Sequence, residues 1–414
     1  MLSVLRRRNF SLLLLSGIVS LIGDWMLFVA LPLHVFALTG STLATGVTFI
    51  VESLPRVLLG TVAGVFVDRW NQKTIMIVAD VVRAVAILSL LLADTADHVW
   101  IVYVVAATVN TASQFFTPAE NALFPRLLSK EDLMPANALN SLGVNMTRLL
   151  GPAIGGSLMV WLGFQAIVLL DSLTFVLSCV LISFVRVQTP REASPEQQPR
   201  TAQLGSVWRD WWSGLRLVRR NPTIMSIFLI IATMMPAEGI LQVLFAIFVK
   251  QVLQGDASTY GLVLSAQAIG GLLGSLVIGK LGKLLPPYWL MGISGVLNGI
   301  LLLIIFNFPS LPVALSLFVV AGLPVGAFFV SLQTLLQTHT PQEFLGRVFG
   351  AFGTTVALMT LSGMLIATLL ADAIGITLML DMVGTLNIAA GLVSFLLLRR
   401  ASAPAAAPVA ATES

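Results

Sequence analysis

The sequence contains few charged residues. Asp, Glu, Lys and Arg make up 10% of its 414 residues, whereas a soluble domain carries roughly 25%. Hydrophobic residues account for 57% of the chain, and the mean hydropathy is +0.95. This composition excludes an ordinary soluble protein and predicts an integral membrane protein.

Cysteine and histidine are also scarce. A single cysteine, Cys179, excludes an internal disulfide and a thiolate metal cluster. The three histidines lie near predicted helix ends without the spacing of metal ligands. The chain has no Walker sequence, no glycine-rich nucleotide loop and no nucleophile elbow. We therefore expect no metal, no cofactor, no bound nucleotide and no enzymatic activity.

Long hydrophobic runs, by contrast, are abundant. A helix needs about 20 mostly apolar residues to cross a bilayer. Twelve stretches meet this requirement: residues 10–38, 42–66, 74–93, 99–123, 138–161, 164–186, 223–249, 258–281, 288–307, 311–337, 346–371 and 375–398. The predicted fold class is an all-α membrane protein with twelve transmembrane helices.

Basic residues follow the predicted spans. If the spans cross the membrane in turn, most of the 23 Lys and Arg residues fall on the side of the N terminus, and Lys250 falls on the other side. Because basic loops remain in the cytoplasm, we expect both termini to be cytoplasmic. This topology accounts for the net charge of +4, so the charge does not indicate a nucleic-acid partner.

A polar segment divides the spans into two groups of six. Residues 188–203 are rich in Pro, Gln, Glu and Arg, a composition typical of a linker. The predicted organisation is a first six-helix half at 1–187, a cytoplasmic linker at 188–221, a second six-helix half at 222–400 and a disordered tail at 401–414.

The end of the linker has an amphipathic pattern. Apolar residues recur at spacings of three and four from Trp208 to Val218, and arginines occupy the other faces. The pattern predicts a helix that lies on the inner leaflet of the membrane. A helix that binds a partner protein is the alternative.

The two halves share a weak internal repeat. Asp171 in span six and Asp381 in span twelve match in depth, and each precedes an apolar run. Duplicated, pseudo-symmetric halves are typical of secondary transporters, in which the substrate binds near the bilayer midplane where the halves meet. A site of this kind needs no partner subunit, so we expect a monomer surrounded by membrane lipid.

Three acidic residues, Asp24, Glu52 and Glu238, lie near the middle of spans. An ionisable group at this depth is costly and usually marks an ion path or a substrate contact. These acids and Arg148 in span five are therefore the candidate residues for proton or cation coupling. A buried, hydrogen-bonded structural acid is the alternative for Asp24, and an ion pair with Arg56 is the alternative for Glu52.

Polar and aromatic residues accompany these charges on the same helical faces. Such stripes predict a wet cavity rather than contact with lipid, although a hydrogen-bonded seam between helices is the alternative for span four. The candidate cavity residues are Phe28, Leu31, Tyr103, Asn110, Gln114, Asn145, Gln242 and Phe245.

The loop between spans two and three carries a motif. The motif consists of Gly64, Asp68, Arg69, Asn71 and Lys73. It resembles the signature of the major facilitator superfamily, although Asn71 stands where a Gly is usual and Gln72 where an Arg is usual. The resemblance implies a cytoplasmic gate in which this loop latches onto span eleven, and solvated loop charges are the alternative. Asp80 and Arg83, near the inner end of span three, are assigned to the same gate.

A second motif lies in span five. Gly151, Pro152, Gly155 and Gly156 resemble the core of the antiporter motif of the same superfamily. Small residues let helix backbones approach closely, and a proline frees a carbonyl. Ordinary helix packing explains this stretch as well as a role in export does.

The combination of Gly23-Asp24-Trp25, Asp80 to Ala84 and Asp171 to Phe175 narrows the resemblance. It is similar to the twelve-span branch that contains macrolide efflux pumps and the enterobactin exporter. The resemblance implies a major facilitator fold in the bacterial cytoplasmic (inner) membrane, with proton-coupled efflux of amphipathic drugs or related compounds by alternating access. The alternatives are a dedicated exporter of one ligand such as a siderophore or lysolipid, a solute importer, and a receptor or scaffold without transport.

Overall fold

A computed structural model describes residues 2–67, 69–186, 216, 218–219, 221–281 and 285–401. Most of the predicted linker, most of its amphipathic helix and nearly all of the predicted tail lie outside the described residues. Within the amphipathic segment, Val218 is buried, and Arg216 and Arg219 are exposed.

The described chain is helical, with short turns between long helices. The long helices are α1 (Arg8–Thr39), α2 (Thr42–Val67), α3 (Gln72–Leu88), α4 (Val99–Leu123), α5 and α6 (together Leu133–Ser183), α7 (Pro222–Gln251), α8 (Ala257–Leu281), α9 (Pro287–Asn307), α10 (Leu311–His339), α11 (Leu345–Ile374) and α12 (Ile376–Ala401). Short 3₁₀ segments at Ser89–Leu92, Ala96–His98, Phe124–Leu127, Lys130–Asp132 and Gln342–Phe344 join some of them.

The helix Leu133–Ser183 crosses the membrane twice. Its 51 residues would extend about 77 Å at 1.5 Å per residue, which exceeds twice the ~30 Å thickness of the hydrocarbon core. Gly163 interrupts it with non-helical angles, φ 81° and ψ 171°. We call the part before Gly163 α5 and the part after it α6.

Contacts at the two ends of this helix show that the chain reverses at Gly163. Asp132, just before α5, pairs with Arg7 at 2.5 Å, and Arg7 directly precedes α1. Lys73 at the start of α3 donates hydrogen bonds to the carbonyls of Ser183 (2.6 Å) and Val185 (2.8 Å) at the end of α6. Both ends therefore lie on one face of the bundle, which we call the terminal face because α1 begins there.

Eleven continuous helices of the described residues are long and apolar enough to cross a membrane. Since Leu133–Ser183 makes two crossings, the predicted all-α fold with twelve spans is confirmed. Most predicted bounds agree with the helices to within three residues. The exceptions are α3, which ends at Leu88 and continues as a 3₁₀ segment, and α5, which begins at Leu133.

Apolar side chains cover much of the outside of the bundle. Leu58, Val85, Trp161, Leu369 and Leu396 are all exposed. A soluble protein avoids large contiguous apolar surfaces of this kind, but a lipid-facing helix requires them. The interior is also apolar, so hydrophobicity alone does not distinguish the buried faces from the lipid-facing ones.

The first helix group (α1–α6) and the second helix group (α7–α12) touch closely near the face opposite the terminal face. A Cβ added at Gly156 of α5 would collide with the backbone of Ala257 at the start of α8. On the other side of the bundle, Ser53 of α2 lies 3.6 Å (Oγ to Sδ) from Met364 of α11. Glycine allows such close backbone contact.

Toward the terminal face the same helices are not in close contact. Gly64 near the end of α2 has no atom within 4 Å of an added Cβ, and the same is true of Gly346, Gly350 and Gly353 at the start of α11. The two groups therefore enclose a cleft that is closed at the opposite face and widens toward the terminal face.

We expect Gly163→Ala to lower stability by about 1–3 kcal/mol, since alanine is strained at this positive φ and no neighbour contacts the site. The thermal unfolding midpoint of the purified protein in detergent measures the effect. Gly353→Ala is the matched control, because Gly353 lies within helix α11 and also has open space around it. Equal midpoints for the two variants would show that the reversal does not depend on glycine.

Candidate functional site

A buried ion pair lies inside the first helix group. Arg83 of α3, 3% exposed, pairs with Asp80 one turn earlier. The second Asp80 oxygen accepts a hydrogen bond of 2.7 Å from Ser178 of α6. The guanidinium carbon of Arg83 lies 4.3 Å from the ring centres of both Phe116 on α4 and Phe175 on α6. The charge of Arg83 is thus enclosed by a carboxylate and two aromatic faces.

Three further acids interact electrostatically with Arg83. They are Asp24 of α1, Glu120 of α4 and Asp171 of α6. Asp171 is fully buried, and one of its oxygens accepts a hydrogen bond of 3.3 Å from Thr174. The other Asp171 oxygen has no hydrogen-bond partner. One guanidinium therefore faces four carboxylates within this helix group.

Helix α1 approaches this cluster through its smallest residues. A Cβ added at Gly17 would lie 3.0 Å from a carboxylate oxygen of Glu120. A Cβ at Gly23 would collide with Asp171 and Thr174 of α6. The face of α1 that bears Asp24 therefore packs against the acids of α4 and α6, inside the first helix group.

A second charged region lies in the cleft between the helix groups. Arg148 of α5 and Glu238 of α7 both have exposed side chains, although most residues of α7 are buried. The two side chains interact electrostatically but do not approach within the 4 Å of an ion pair. Since they belong to different helix groups, they face a shared accessible space.

The face of α5 that bears Arg148 leads from the closed end of the cleft to its open end. Pro152 and Gly156 on this face contact α8. Closer to the terminal face, Ser141, Asn145 and Arg148 on the same face are exposed. The predicted coupling residue Arg148 and the predicted cavity residue Asn145 thus lie along one wall of the cleft.

Glu52 lies at a different contact between the groups. It is half-buried on α2 and interacts electrostatically with Tyr260 of α8. The ion pairs among the described side chains are Arg7–Asp132, Arg83–Asp80 and His98–Asp94. The alternative of an ion pair between Glu52 and Arg56 is therefore not what the structure shows.

Two predicted cavity residues do not face open space. Leu31 is 3% exposed and packs in an apolar cluster of the first helix group. Phe245 is 4% exposed, with its ring centre 5.6 Å from that of Tyr260 and 5.1 Å from that of Phe318. The prediction is wrong for both, because hydrophobic side chains on the same helical face as an acid can turn into the core of their own helix group.

The other predicted cavity residues are partly accessible. Phe28 packs its ring against Trp25 and Phe49, and Gln242 is half-buried on α7.

The polar stripe of α4 faces α2. The hydroxyl of Tyr103 donates a hydrogen bond of 3.2 Å to the carbonyl of Ala44 on α2. Gln114 lies beside Gly60 of α2. Asn110 donates to the carbonyl of Ala106, within its own helix, at 3.0 Å. Tyr103 therefore fits the alternative of a hydrogen-bonded seam between helices, whereas Asn110 and Gln114 bond within α4 and their cavity role stays a prediction.

In the predicted gate loop, Asp68 lies outside the described residues. Asn71 caps α3 by accepting a hydrogen bond of 3.2 Å from the Thr74 amide, and Lys73 is held by carbonyls at the end of α6. Arg69 is exposed, and Gly64 has open space around it. The described part of the loop is thus fastened within the first helix group, and its gating role stays a prediction.

Asp80 and Arg83 lie in α3, as the sequence predicts. Their contacts with Phe116, Phe175 and Ser178 place them in the interior of the first helix group. Their part in the gate stays a prediction.

The antiporter-like motif of α5 makes contacts on two sides. Gly151 and Gly155 accommodate Trp25 and Met26 of α1, whereas Pro152 and Gly156 contact α8 of the second group. The motif therefore forms close helix packing, and its role in coupling stays a prediction.

Sequence reasoning missed Glu120. It lies three residues before the end of α4, where a lone acid resembles an ordinary surface charge. Its burial follows from the 3₁₀ segment Phe124–Leu127, which extends the apolar run beyond the predicted end of the span. Asp381, which matches Asp171 in the sequence, has a different setting, since it accepts a hydrogen bond of 2.6 Å from Asn307.

Comparison with known families accounts for the whole chain. A family model described as transmembrane secretion effector, part of the major facilitator superfamily, matches residues 1–412. The chain belongs to this family.

Characterised relatives of this transmembrane secretion effector include efflux proteins. Macrolide efflux protein A of Streptococcus pyogenes is 27% identical over 389 residues, which cover 91% of this chain and 92% of that protein. The multidrug efflux pump Tap of Mycolicibacterium fortuitum is 26% identical over 386 residues, covering 90% of this chain and 91% of that protein. The chain is therefore a transporter of the major facilitator superfamily with macrolide and multidrug efflux relatives.

Solved structures agree on the fold. A bacterial homologue of the iron transporter ferroportin in an inward-facing state aligns with a TM-score of 0.76 at 17% identity, covering 96% of this chain and 99% of that one. The nucleoside transporter NupG aligns with a TM-score of 0.74 at 13% identity, covering 94% of this chain and 99% of that one.

We expect Asp80→Asn to destabilise this transmembrane secretion effector by about 3–5 kcal/mol, because it removes the carboxylate that pairs directly with the buried Arg83. Folded yield and the thermal unfolding midpoint in detergent measure the loss. The double variant Asp80→Asn/Arg83→Gln removes both charges and is expected to recover much of it.

Asp94→Asn is the matched control. Asp94 is exposed in the loop before α4, where a hydrogen bond from His98 holds the pKa of its carboxyl below the usual value. Little change is expected there, since exposed pairs contribute little to stability. If Asp80→Asn were as stable as the Asp94 variant, the buried pair would not be a structural requirement.

Proposed function

We propose that this chain is a secondary active exporter that moves amphipathic organic compounds out of the cell in exchange for protons. The observation that carries this proposal is the cleft between the two helix groups. The cleft is closed at one face by contacts of α5 with α8 and of α2 with α11. It is open at the other face, and the charged pair Arg148 and Glu238 faces it.

The orientation of the protein follows from its basic residues. The terminal face bears Arg7, Arg8, Lys73, Arg126 and Lys130, so it is the cytoplasmic face of a bacterial inner membrane by the positive-inside rule. The cleft in this structure then opens to the cytoplasm and the inner leaflet. This is the state in which an exporter loads its substrate.

Alternating access requires the halves to exchange their contacts. Separation of the glycine contacts at the opposite face, with closure at the terminal face, turns the same cleft outward. A carboxylate that binds a proton loses its charge, and a neutral group enters a closed, dry interior at lower solvation cost. Proton binding therefore favours the closing step.

The driving force is large enough for concentrative export. A membrane potential of 100 mV supplies about 2.3 kcal/mol per charge moved, and one pH unit supplies about 1.4 kcal/mol. Together they support an accumulation of roughly a few hundredfold per proton for an uncharged substrate. The printed names of the relatives support macrolides and other drugs as the substrate class.

Dye uptake into inside-out vesicles tests proton-driven export. We expect energised vesicles to accumulate a fluorescent amphipathic cation, an uncoupler to abolish the accumulation, and Glu238→Gln to remove most of it. Glu131→Gln, in the exposed loop before α5, is the matched control and is expected to behave as wild type.

The other outcomes identify the alternatives. Accumulation that ignores the uncoupler would contradict proton coupling, and an importer or a scaffold would accumulate no dye. A dedicated exporter would ignore the dye but move its own ligand, such as a siderophore or a lysolipid.

Cross-linking tests alternating access. In a Cys179→Ala background, Ser53→Cys/Met364→Cys places two thiols across the contact of α2 with α11. We expect a short thiol-specific cross-linker to arrest transport, and cleavage of the link to restore it, because the two helices must separate in each cycle.

The control pair is Asn298→Cys/Asn387→Cys. These residues are joined by a 3.1 Å hydrogen bond within the second helix group, on α9 and α12. A cross-link there is expected to leave transport intact. Unimpaired transport by the Ser53–Met364 cross-linked protein would contradict the proposed cycle.

A further inference from the structure

The acids inside the first helix group form an electrostatically connected series, in which Asp80 and Asp171 are fully buried and Asp24 and Glu120 are half-buried. Four helices contribute to it, and each contributes at least one group that interacts electrostatically with another member. We call this series the acid column; its members are Glu120, Asp80, Arg83, Asp24 and Asp171.

The members lie at two depths. Glu120 lies beside Gly17, which is nine residues into α1, or about 13 Å from the terminal face. Asp80 is eight residues into α3, which places it about 12 Å from that face. Asp24 is sixteen residues into α1, or about 24 Å deep. Asp171 follows the reversal at Gly163 by eight residues, so it lies about 12 Å from the opposite face.

Helix α1 approaches the column through small residues. Gly17 faces Glu120, and Gly23 faces Asp171. Between them, Ser20 is buried and donates its hydroxyl to the carbonyl of Gly17 at 3.2 Å.

The column contains polar atoms without partners. One carboxylate oxygen of Asp171, which is fully buried, and the Nε of Arg83, which is 3% exposed, form no hydrogen bond. Orphaned polar atoms at such burial are costly unless a ligand satisfies them. A proton on Asp171 removes the charge of this carboxylate and so lowers the cost of the missing partner.

The charges in the column do not balance. Arg83 can neutralise one carboxylate, and it is paired with Asp80. Asp24, Glu120 and Asp171 have no cation of their own, and an unpaired carboxylate is costly in the protein interior, most of all at Asp171, which is fully buried. Protons are the ligands that remove this charge.

We propose that the acid column is the proton path of the exporter, and that it runs inside the first helix group, separate from the substrate cleft that Arg148 and Glu238 face. The inference rests on the proposed function, since it names the route of the coupling ion. In the outward-open state a proton binds a carboxylate oxygen of Asp171. After the change of state it passes to Asp24 and then between the carboxylates of Asp80 and Glu120, while Arg83 keeps its charge. Glu120 then releases it toward the terminal face.

Four helices of the first group supply the titratable and charged groups of the acid column. Helix α1 contributes Asp24, α3 contributes Asp80 and Arg83, α4 contributes Glu120, and α6 contributes Asp171. Cys179 of α6 also interacts with Asp80. The charged residue of α5, Arg148, interacts with Glu238 across the cleft.

Infrared difference spectroscopy of the purified protein during a pH titration tests proton binding without any transport. We expect wild type to lose protonated-carboxyl bands as the pH rises, and Asp171→Asn to lack one of these bands. Asp381→Asn is the matched control, because Asp381 occupies the corresponding place in α12 but is hydrogen-bonded to Asn307. An Asp171→Asn spectrum identical to that of wild type would overturn the proposal.

Transport in proteoliposomes supplies the second readout. In Asp171→Asn we expect dye accumulation driven by a pH gradient to fall by a larger factor than downhill dye movement, and Asp171→Glu to restore it. Equal losses of both would contradict a role in proton transfer.

Glu120→Gln is the second variant, for the case that Asp171→Asn does not fold. We expect Glu120→Gln to release protons more slowly and to lack one protonated-carboxyl band. A wild-type spectrum of this variant would contradict the proposal. If wild type moves no dye, the proposed function fails, and the infrared titration still decides whether the column binds protons.

Discussion

The cost of placing a charge in an apolar medium is the constraint on which this structure depends. Arg83 is tolerated in the membrane interior because Asp80 and two aromatic rings surround it. This arrangement in turn fixes how α3, α4 and α6 pack, since each provides one part of the enclosure. Gly17 and Gly23 of α1 have no side chains, so Glu120 and Asp171 can approach the backbone of α1 closely. This contact completes the packing of the first helix group.

The two helix groups meet under a different constraint. No hydrophobic driving force joins helices within lipid, so close packing of small residues takes its place. The contacts at Gly156 and Gly261 between α5 and α8 show this at the opposite face. Near the terminal face, the described glycines of α2 and α11 have no neighbours and make no comparable contact. The cleft is therefore closed where small residues of the two groups meet and open where the described ones do not.

Much of the fold could be predicted from the sequence, because the length of an apolar run determines whether a helix spans the membrane. Even the reversal at Gly163 could be located, since two spans of ordinary length meet there. The helix faces were harder to predict. Leu31 and Phe245 were assigned to a cavity, but a span that is apolar all round gives no signal of which side faces its own helix group.

The candidate site shows the same limit. The mid-span position of Asp24 and Glu238 could be recognised, because an acid is conspicuous within an apolar run. Glu120 could not be recognised, since its burial depends on the path of the chain after α4. Asp80 and Arg83 could be placed in span three from the sequence, but the direction of their side chains depends on contacts with α4 and α6.

The reversal at Gly163 has a mechanical consequence. Helices α5 and α6 meet at one residue, without a loop to absorb displacement. Tilting α5 away from α8 therefore pulls on the outer end of α6, only two turns from the orphaned carboxylate oxygen of Asp171. Because α5 and α6 are joined at one residue, separation of the two helix groups also changes the surroundings of the Asp171 carboxylate.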